Sequence, residues 1–352
     1  MNEKSKRERF KNHLRKIGSG EKTSRGMTRE ESADALELML KGVPTPTQIG
    51  AFMMAHRIRR PEPQELAGMI DTYLKLGPEF KSSKESCQPI CFGMPLDGRT
   101  KTSPVYPLTT LILLDLGQPI VLHGASRIPV KYGISSTELF QSLGLSLQGL
   151  SINSVEDCFS EYGLGFIYQP DHFHLAETLI PFREEIGKRA PIASMELLWT
   201  AHRGKHLLIT GFVHPPTESR HLEAAEMLGE KDVVTIKGLE GSTDIPLSRP
   251  TKVSKLKNKH IEEFILNPID HKCNGKDIPW QNIDEWQKIC MSTLNGEGPL
   301  QKAVTWNAGI YLWLAELTNT ISEGIDRAET SLVSGSAKAK LNQLIKWRKK
   351  IN

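Results

Sequence analysis

Long apolar runs are missing from this chain of 352 residues. The stretches Thr109 to Leu114 and Pro119 to Leu122 are among its longest and fall far short of the roughly 20 residues that span a bilayer, so no membrane segment is expected. The N-terminus opens with charge and has no apolar stretch of the kind that directs secretion. Cysteine is also scarce. Five residues (Cys87, Cys91, Cys158, Cys273, Cys290) are too few and too scattered for a disulfide framework, which points to a reducing, cytoplasmic setting. Cys87 and Cys91 are close, but a lone C-x3-C is a weak zinc signal. The pairs His172 with His174 and His202 with His206 read as solvated or hydrogen-bonded histidines. No internal repeat or low-complexity tract is present, and the composition is that of a globular protein long enough for two domains.

Acid is missing from the last 23 residues, which hold six Lys or Arg, while residues 1–29 hold ten Lys or Arg against three Glu. The net charge of +4 therefore divides into +13 on the ends and −9 on the body. A further basic run, Lys252 to His260, interrupts that body. Such runs suit either contact with a polyanion or a solvated surface with partly frayed termini.

Glycine is short in one place where it matters. The segment Gly93 to Lys101, GMPLDGRTK, follows a strand-like run, Pro89 to Phe92, and precedes a helix-like run, Leu108 to Leu116. In an α/β fold this junction presents backbone N–H groups to an anion. Met94 and Leu96 bring bulk, and Pro95 has no N–H to donate, so side chains must bind any anion here. Arg99 and Lys101 are the candidates.

The first 80 or so residues read as helices alone. Thr28 with Glu31 forms a capping box, and Ala33, Leu36 and Leu40 follow at helical spacing up to Gly42. Thr45 with Gln48 repeats the signal with Pro46 at the first helical position, and a third helix runs from about Pro63 to Gly77. Three short helices have little core of their own, so their apolar faces must meet another domain or a second subunit. After the polar stretch Lys81 to Ser86, apolar runs at Ile120 to Leu122, Leu207 to Thr210 and Val233 to Ile236 alternate with helical segments, which indicates an α/β sheet domain. Ser154 with Asp157 reads as a further cap. Phe173 to Gly187 reads as one helix returning toward the bundle, and Gln301 to Leu317 and Ile321 to Leu332 are again helical. The expected architecture is a small helical domain over residues 1–80 and a large α/β domain with a central mixed sheet over residues 81–352.

Six ordered segments carry a family likeness: TPTQIGAFMMAHRIR from Thr45, HGASR from His123, SSTELFQSLG from Ser135, PFREEIGKRA from Pro181, GLEG from Gly238 and WNAGIYLWLAE from Trp306. The chain resembles the anthranilate phosphoribosyltransferases, family-3 glycosyltransferases, over almost everything after residue 28. The resemblance implies displacement of diphosphate from phosphoribosyl diphosphate by an aromatic amine, with Mg²⁺ as cofactor, in a homodimer joined through the helical domain. It assigns the phosphate and substrate sites to Gly93, Asp97, Gly98, His123, Gly124 and Ser136, and the anthranilate carboxylate to Arg183. Ser136 suits a helix N-cap equally well, and Arg183 an ion pair. The departures are specific. The family's Gly-Thr-Gly-Gly-Asp-Gly loop keeps Gly93, Asp97 and Gly98 alone, and its Asn-Ile-Ser-Thr falls near Pro104 to Pro107. Its Lys-His-Gly-Asn becomes Leu122, His123, Gly124 and Ala125, and its Asp-Glu pair becomes Thr243 and Asp244, a weakened metal site. Arg99, Lys101 and Arg127 are the basic residues placed to replace what is lost. The DGR-type loop and GLEG also resemble a divergent subgroup, for which the resemblance suggests a changed ligand or lost transferase activity, with nucleic-acid binding as an alternative. The dimer face would be Ile49, Phe52, Met53 and the stretch from Leu66 to Tyr73.

Overall fold

The computed structural model describes residues 3–20, 22–80 and 88–351; Cys87 and the Lys81 to Ser86 stretch lie outside these. Four helices open the chain: α1 (Glu3–Gly18), α2 (Arg29–Leu40), α3 (Pro46–Arg59) and α4 (Pro63–Leu76). The expected capping boxes at Thr28 and Thr45 are present, each hydroxyl accepting from the backbone N–H of the third helical residue. Glu62 with Glu65 forms a third, and the Glu65 carboxylate also takes the Met27 N–H and the Arg59 guanidinium. With His56 beside it, Glu65 is held down to about 2 despite its burial.

The basic N-terminus is a helix and not a frayed tail. Phe10, His13 and Ile17 of α1 are buried, and the Phe10 ring lies 5.2 Å from that of Phe52. The expected dimer face is covered within one chain. Ile49, Phe52, Met53, Leu66, Ile70 and Tyr73 are each no more than 2% exposed, so none of them forms an outer surface. The extra helix α1 packs on α3, while α4 packs on α2 and on the helices Pro215–Leu228 and Ile192–Met195 of the α/β domain.

Seven strands form one mixed sheet: β1 (Ile90–Gly93), β2 (Ile120–Gly124), β3 (Leu164–Tyr168), β4 (Leu207–Gly211), β5 (Asp232–Ile236), β6 (Thr251–Lys257) and β7 (His260–Leu266), in the order β3-β2-β1-β4-β5-β6-β7. The first five are parallel and nearly all buried, whereas β6 and β7 are antiparallel. The run Lys252 to His260 is thus a hairpin, turned by Asn258 and Lys259 at φ 50° and 68°. Three of its four lysines are matched: Lys252 with Glu218 and Glu263, Lys255 and Lys257 with Glu316. Chain order reverses between β1 and β4, so the crevice beyond their carboxyl ends is where an open α/β sheet takes its ligand.

Helix α5 (Tyr106–Asp115) is apolar on every side and packs against the C-terminal helices Gln301–Leu314, Ile321–Val333 and Ser336–Lys350. Ser336–Lys350 escapes the sequence reading because its apolar stripe is thin among lysines. The stretch from Phe173 to Gly187 is not one helix. It breaks into His174–Glu177 and Ile180–Glu185, with Pro181 at the start of the second. The helix expected at Ser154 is capped by Ser151, whose hydroxyl accepts from the Ser154 N–H. No helix among the described residues is long and apolar enough to cross a membrane.

Candidate functional site

Gly93 ends β1 where a Cβ would overlap the Leu197 carbonyl, and the chain then enters the loop Met94 to Thr102. The loop is packed and not open. Met94 and Leu96 are buried, and Leu96 clusters with Ala125 and Ile128, so apolar contact fills the ground between the β1 and β2 loops. Gly98 turns at φ 70°, and the following segment crosses it, with Gly133 N–H donating to Asp97 O at 3.0 Å and Ile134 N–H to Arg99 O at 2.9 Å. Asp97 pairs with Arg189 at 3.2 Å.

The guanidinium of Arg99 points inward. It pairs with Asp244 and donates to the Thr102 hydroxyl, and Glu240 stands 3.5 Å from its Nε. Asp244 also accepts the Val105 N–H at 2.9 Å, and burial raises its carboxyl against the pull of Arg99. The expected anion-binding arginine and the expected metal carboxylate therefore neutralise each other.

Glu240 is the central finding. Its carboxylate accepts the backbone N–H of Thr100 at 3.2 Å, of Lys101 at 3.0 Å and of Thr102 at 3.0 Å, together with the Thr102 hydroxyl at 3.1 Å. Lys131 Nζ lies 3.4 Å from it and also donates to Gly98 O. Three successive amides aimed at one point form an anion-binding nest, and here the chain's own carboxylate occupies it. Those amides and Lys131 hold Glu240 down to about 2 against the cost of burial. The turn that delivers it is built by GLEG. Glu240 sits at φ 54°, Gly241 at φ 78°, and a Cβ on Gly238 would overlap the Ser242 carbonyl. The motif was visible in the sequence; what it was aimed at was not.

His123, at the end of β2, donates from Nε2 to Met94 O at 3.1 Å, and burial lowers its pKa to about 4, so the ring is neutral. Gly124 leaves no room for a side chain against Phe166. Ser135, not Ser136, caps α6 (Ser136–Ser142), while the Ser136 hydroxyl accepts from the Tyr106 hydroxyl at 2.9 Å. Arg183 is buried in a two-pronged pair with Glu196, at 2.7 and 3.2 Å. The cavity beside it, lined by Tyr73, Leu96, His123, Glu196 and Trp199 among others, holds about 10 Å³. Aromatic rings fill the space: Trp199 lies 5.6 Å from His123 and 5.7 Å from Tyr73. Arg127 is exposed and paired with Glu138 at 2.9 Å; Lys101 is exposed. The loop thus sets Arg99 on Asp244, Asp97 on Arg189 and the Met94 carbonyl on His123, and leaves Arg127 and the Lys101 side chain outside.

A second concavity lies where the helical domain meets the helix Pro215–Leu228. It encloses about 540 Å³ and is lined by Arg57, Arg60, Arg189, Arg220, His214 and His221 among others, with no carboxylate in its lining. Burial and the neighbouring Arg189 and Arg220 lower His221 to about 4. Its arginines come from three separate stretches of chain, Arg57 with Arg60, Arg189 and Arg220, so no single sequence run announces them.

The α/β domain of the glycosyl transferase family matches residues 108–338, and the helical bundle domain of the same family matches residues 11–77. Among curated proteins, the anthranilate phosphoribosyltransferases of Laribacter hongkongensis and Chromobacterium violaceum are each 26% identical over 326 residues, covering 92% of this chain and 94% of each relative. Two solved structures share the fold. The anthranilate phosphoribosyltransferase of Thermus thermophilus superposes with a TM-score of 0.76 at 22% identity, covering 95% of this chain and 98% of that one. That of Saccharomyces cerevisiae in complex with PRPP and Mg gives 0.81 at 16% identity, covering 96% and 97%.

Proposed function

Because the chain belongs to the glycosyl transferase family of the anthranilate phosphoribosyltransferases, we propose that it uses that fold to bind nucleic acid along the basic cleft, and not to transfer phosphoribosyl groups to anthranilate. The observation that carries this reading is the Glu240 carboxylate in the amides of Thr100 to Thr102, since a diphosphate entering the loop must first displace a bound anion. The 10 Å³ cavity beside His123 has room for about one water molecule and none for an aromatic ring. The donors also fit Mg²⁺ poorly. Asp244 lies against Arg99, Asp97 against Arg189 and Glu240 in the amides, so no carboxylate is left to face a hard cation. The cleft offers the opposite field, with no acid in its lining and four arginines, of which Arg189 is matched by Asp97.

Fluorescence anisotropy of a labelled single-stranded oligonucleotide tests this. Binding at about 50 mM salt that falls tenfold or more by about 200 mM, and weakens further in Arg57→Ala/Arg220→Ala, is the expected result. No binding at the lower salt, or affinity indifferent to the double variant, would contradict it. A second reading, transfer to a different acceptor, is favoured by the nest itself: with Glu240 turned out, three amides and Lys131 would face a phosphate.

A further inference from the structure

Away from the loop, toward the amino ends of β1 and β4, three metal-binding side chains converge. Parallel pairing of Cys91 with Leu208 places Cys91 on the same side of the sheet as His206, two residues before Leu208. His202 is brought over them by a bridge to Phe80, with Arg203 N–H donating to Phe80 O at 2.9 Å. The Cys91 sulfur and one nitrogen from each of His202 and His206 all lie within 4.8 Å of one another.

The fold leaves His202 without partners. It is 2% exposed, and neither ring nitrogen has a hydrogen-bond partner among the described residues. A buried polar atom left unmatched is costly, so the arrangement favours a partner. Nδ1 of His206 lies 2.8 Å from the Gly204 carbonyl, which can only accept, so that nitrogen carries the proton. Nε2 of His206 faces the Glu230 carboxylate at 3.2 Å, an approach that a proton or a metal ion bridges. A proton would answer for His206 and Glu230 alone; a metal ion answers for His202 as well.

We propose that Cys91, His202 and His206 ligate a divalent transition-metal ion, zinc by the class of the donors, with Glu230, which lies against His206 and outside the three-residue cluster, moving in as the fourth ligand. Bonds of about 2.0–2.3 Å in a tetrahedron separate ligand atoms by roughly 3.3–3.8 Å, a spacing that donors already within 4.8 Å of one another reach by small side-chain movements. The Gly204 carbonyl fixes the His206 tautomer, as an outer-shell acceptor does for a metal-bound imidazole. The ion is structural: it ties β1 and the entry of β4 to the chain leaving the helical domain at Phe80.

The full chain, free of any histidine tag and stripped with a chelator, is titrated with Co²⁺ and then Zn²⁺. One equivalent of cobalt giving a thiolate charge-transfer band and tetrahedral visible bands, both erased by one equivalent of zinc, is expected. Cys91→Ser should abolish the charge-transfer band, and His202→Gln should weaken binding at least tenfold. His172→Gln, outside the cluster, should leave both unchanged. A wild-type chain with no thiolate band, or a band that survives in folded Cys91→Ser as judged by circular dichroism, would overturn the proposal; the wild-type result decides the matter even if the variants fail to fold.

Discussion

Cys91 and Gly93 are two residues apart on β1, yet the regions around them treat buried polar groups in opposite ways. Beyond Gly93, Arg99 faces Asp244, Glu240 fills three amides and His123 donates to Met94 O. Around Cys91, His202 has no hydrogen-bond partner among the described residues, and His206 stands 3.2 Å from the Glu230 carboxylate. A buried polar group is stable only when matched. Where the chain supplies the match itself, a ligand has to compete with it. Where the chain does not, a ligand can supply the match. The junction that most resembles a phosphate site is the closed one, and the histidine pair that reads as ordinary is the open one.

The contrast breaks most visibly at Arg99 and Asp244. Asp244→Asn removes the charge facing a buried guanidinium and should cost about 3–5 kcal/mol of unfolding free energy, read from denaturant titration. At the open end, zinc at a hundredfold excess over its dissociation constant should stabilise the chain by about 2.7 kcal/mol, a gain absent in Cys91→Ser. Glu240→Gln should cost about 1–3 kcal/mol, because three amides keep a weaker acceptor.

The same residue sets an acid limb. Glu240 is depressed from 4.5 to about 2 in the folded chain, so its contribution is full above pH 4.5 and is lost as pH falls through about 2. Stability followed by urea titration between pH 5 and pH 2 should fall less in Glu240→Gln than in wild type. The smallest effect is expected from Arg127→Ala, which removes an exposed pair with Glu138 and should change stability by less than about 1 kcal/mol.

Much of the fold was legible because its signals are local. The boxes at Thr28 and Thr45, the apolar runs of β2, β4 and β5, and the strand–loop–helix junction at Gly93 are read within a few residues. What was missed depends on distant partners. Helix α1 is mostly charged and declares itself only when Phe10 meets Phe52. The hairpin β6–β7 looks like a basic tract until Glu218, Glu263 and Glu316 are set against its lysines. At the site, Asp97, Arg99, His123 and Asp244 were named from the sequence, but nothing local says that Arg99 turns inward or that Glu240 reaches back 138 to 140 residues to the loop. The convergence of Cys91 with His202 and His206 is of the same kind: it exists only through the pairing of β1 with β4.

If Glu240 closes the loop to phosphate, calorimetric titration of phosphoribosyl diphosphate with Mg²⁺ gives no saturable heat from wild type and saturable binding to Glu240→Gln. Micromolar binding to wild type, undiminished by the carboxylate, would contradict it and restore the transferase reading.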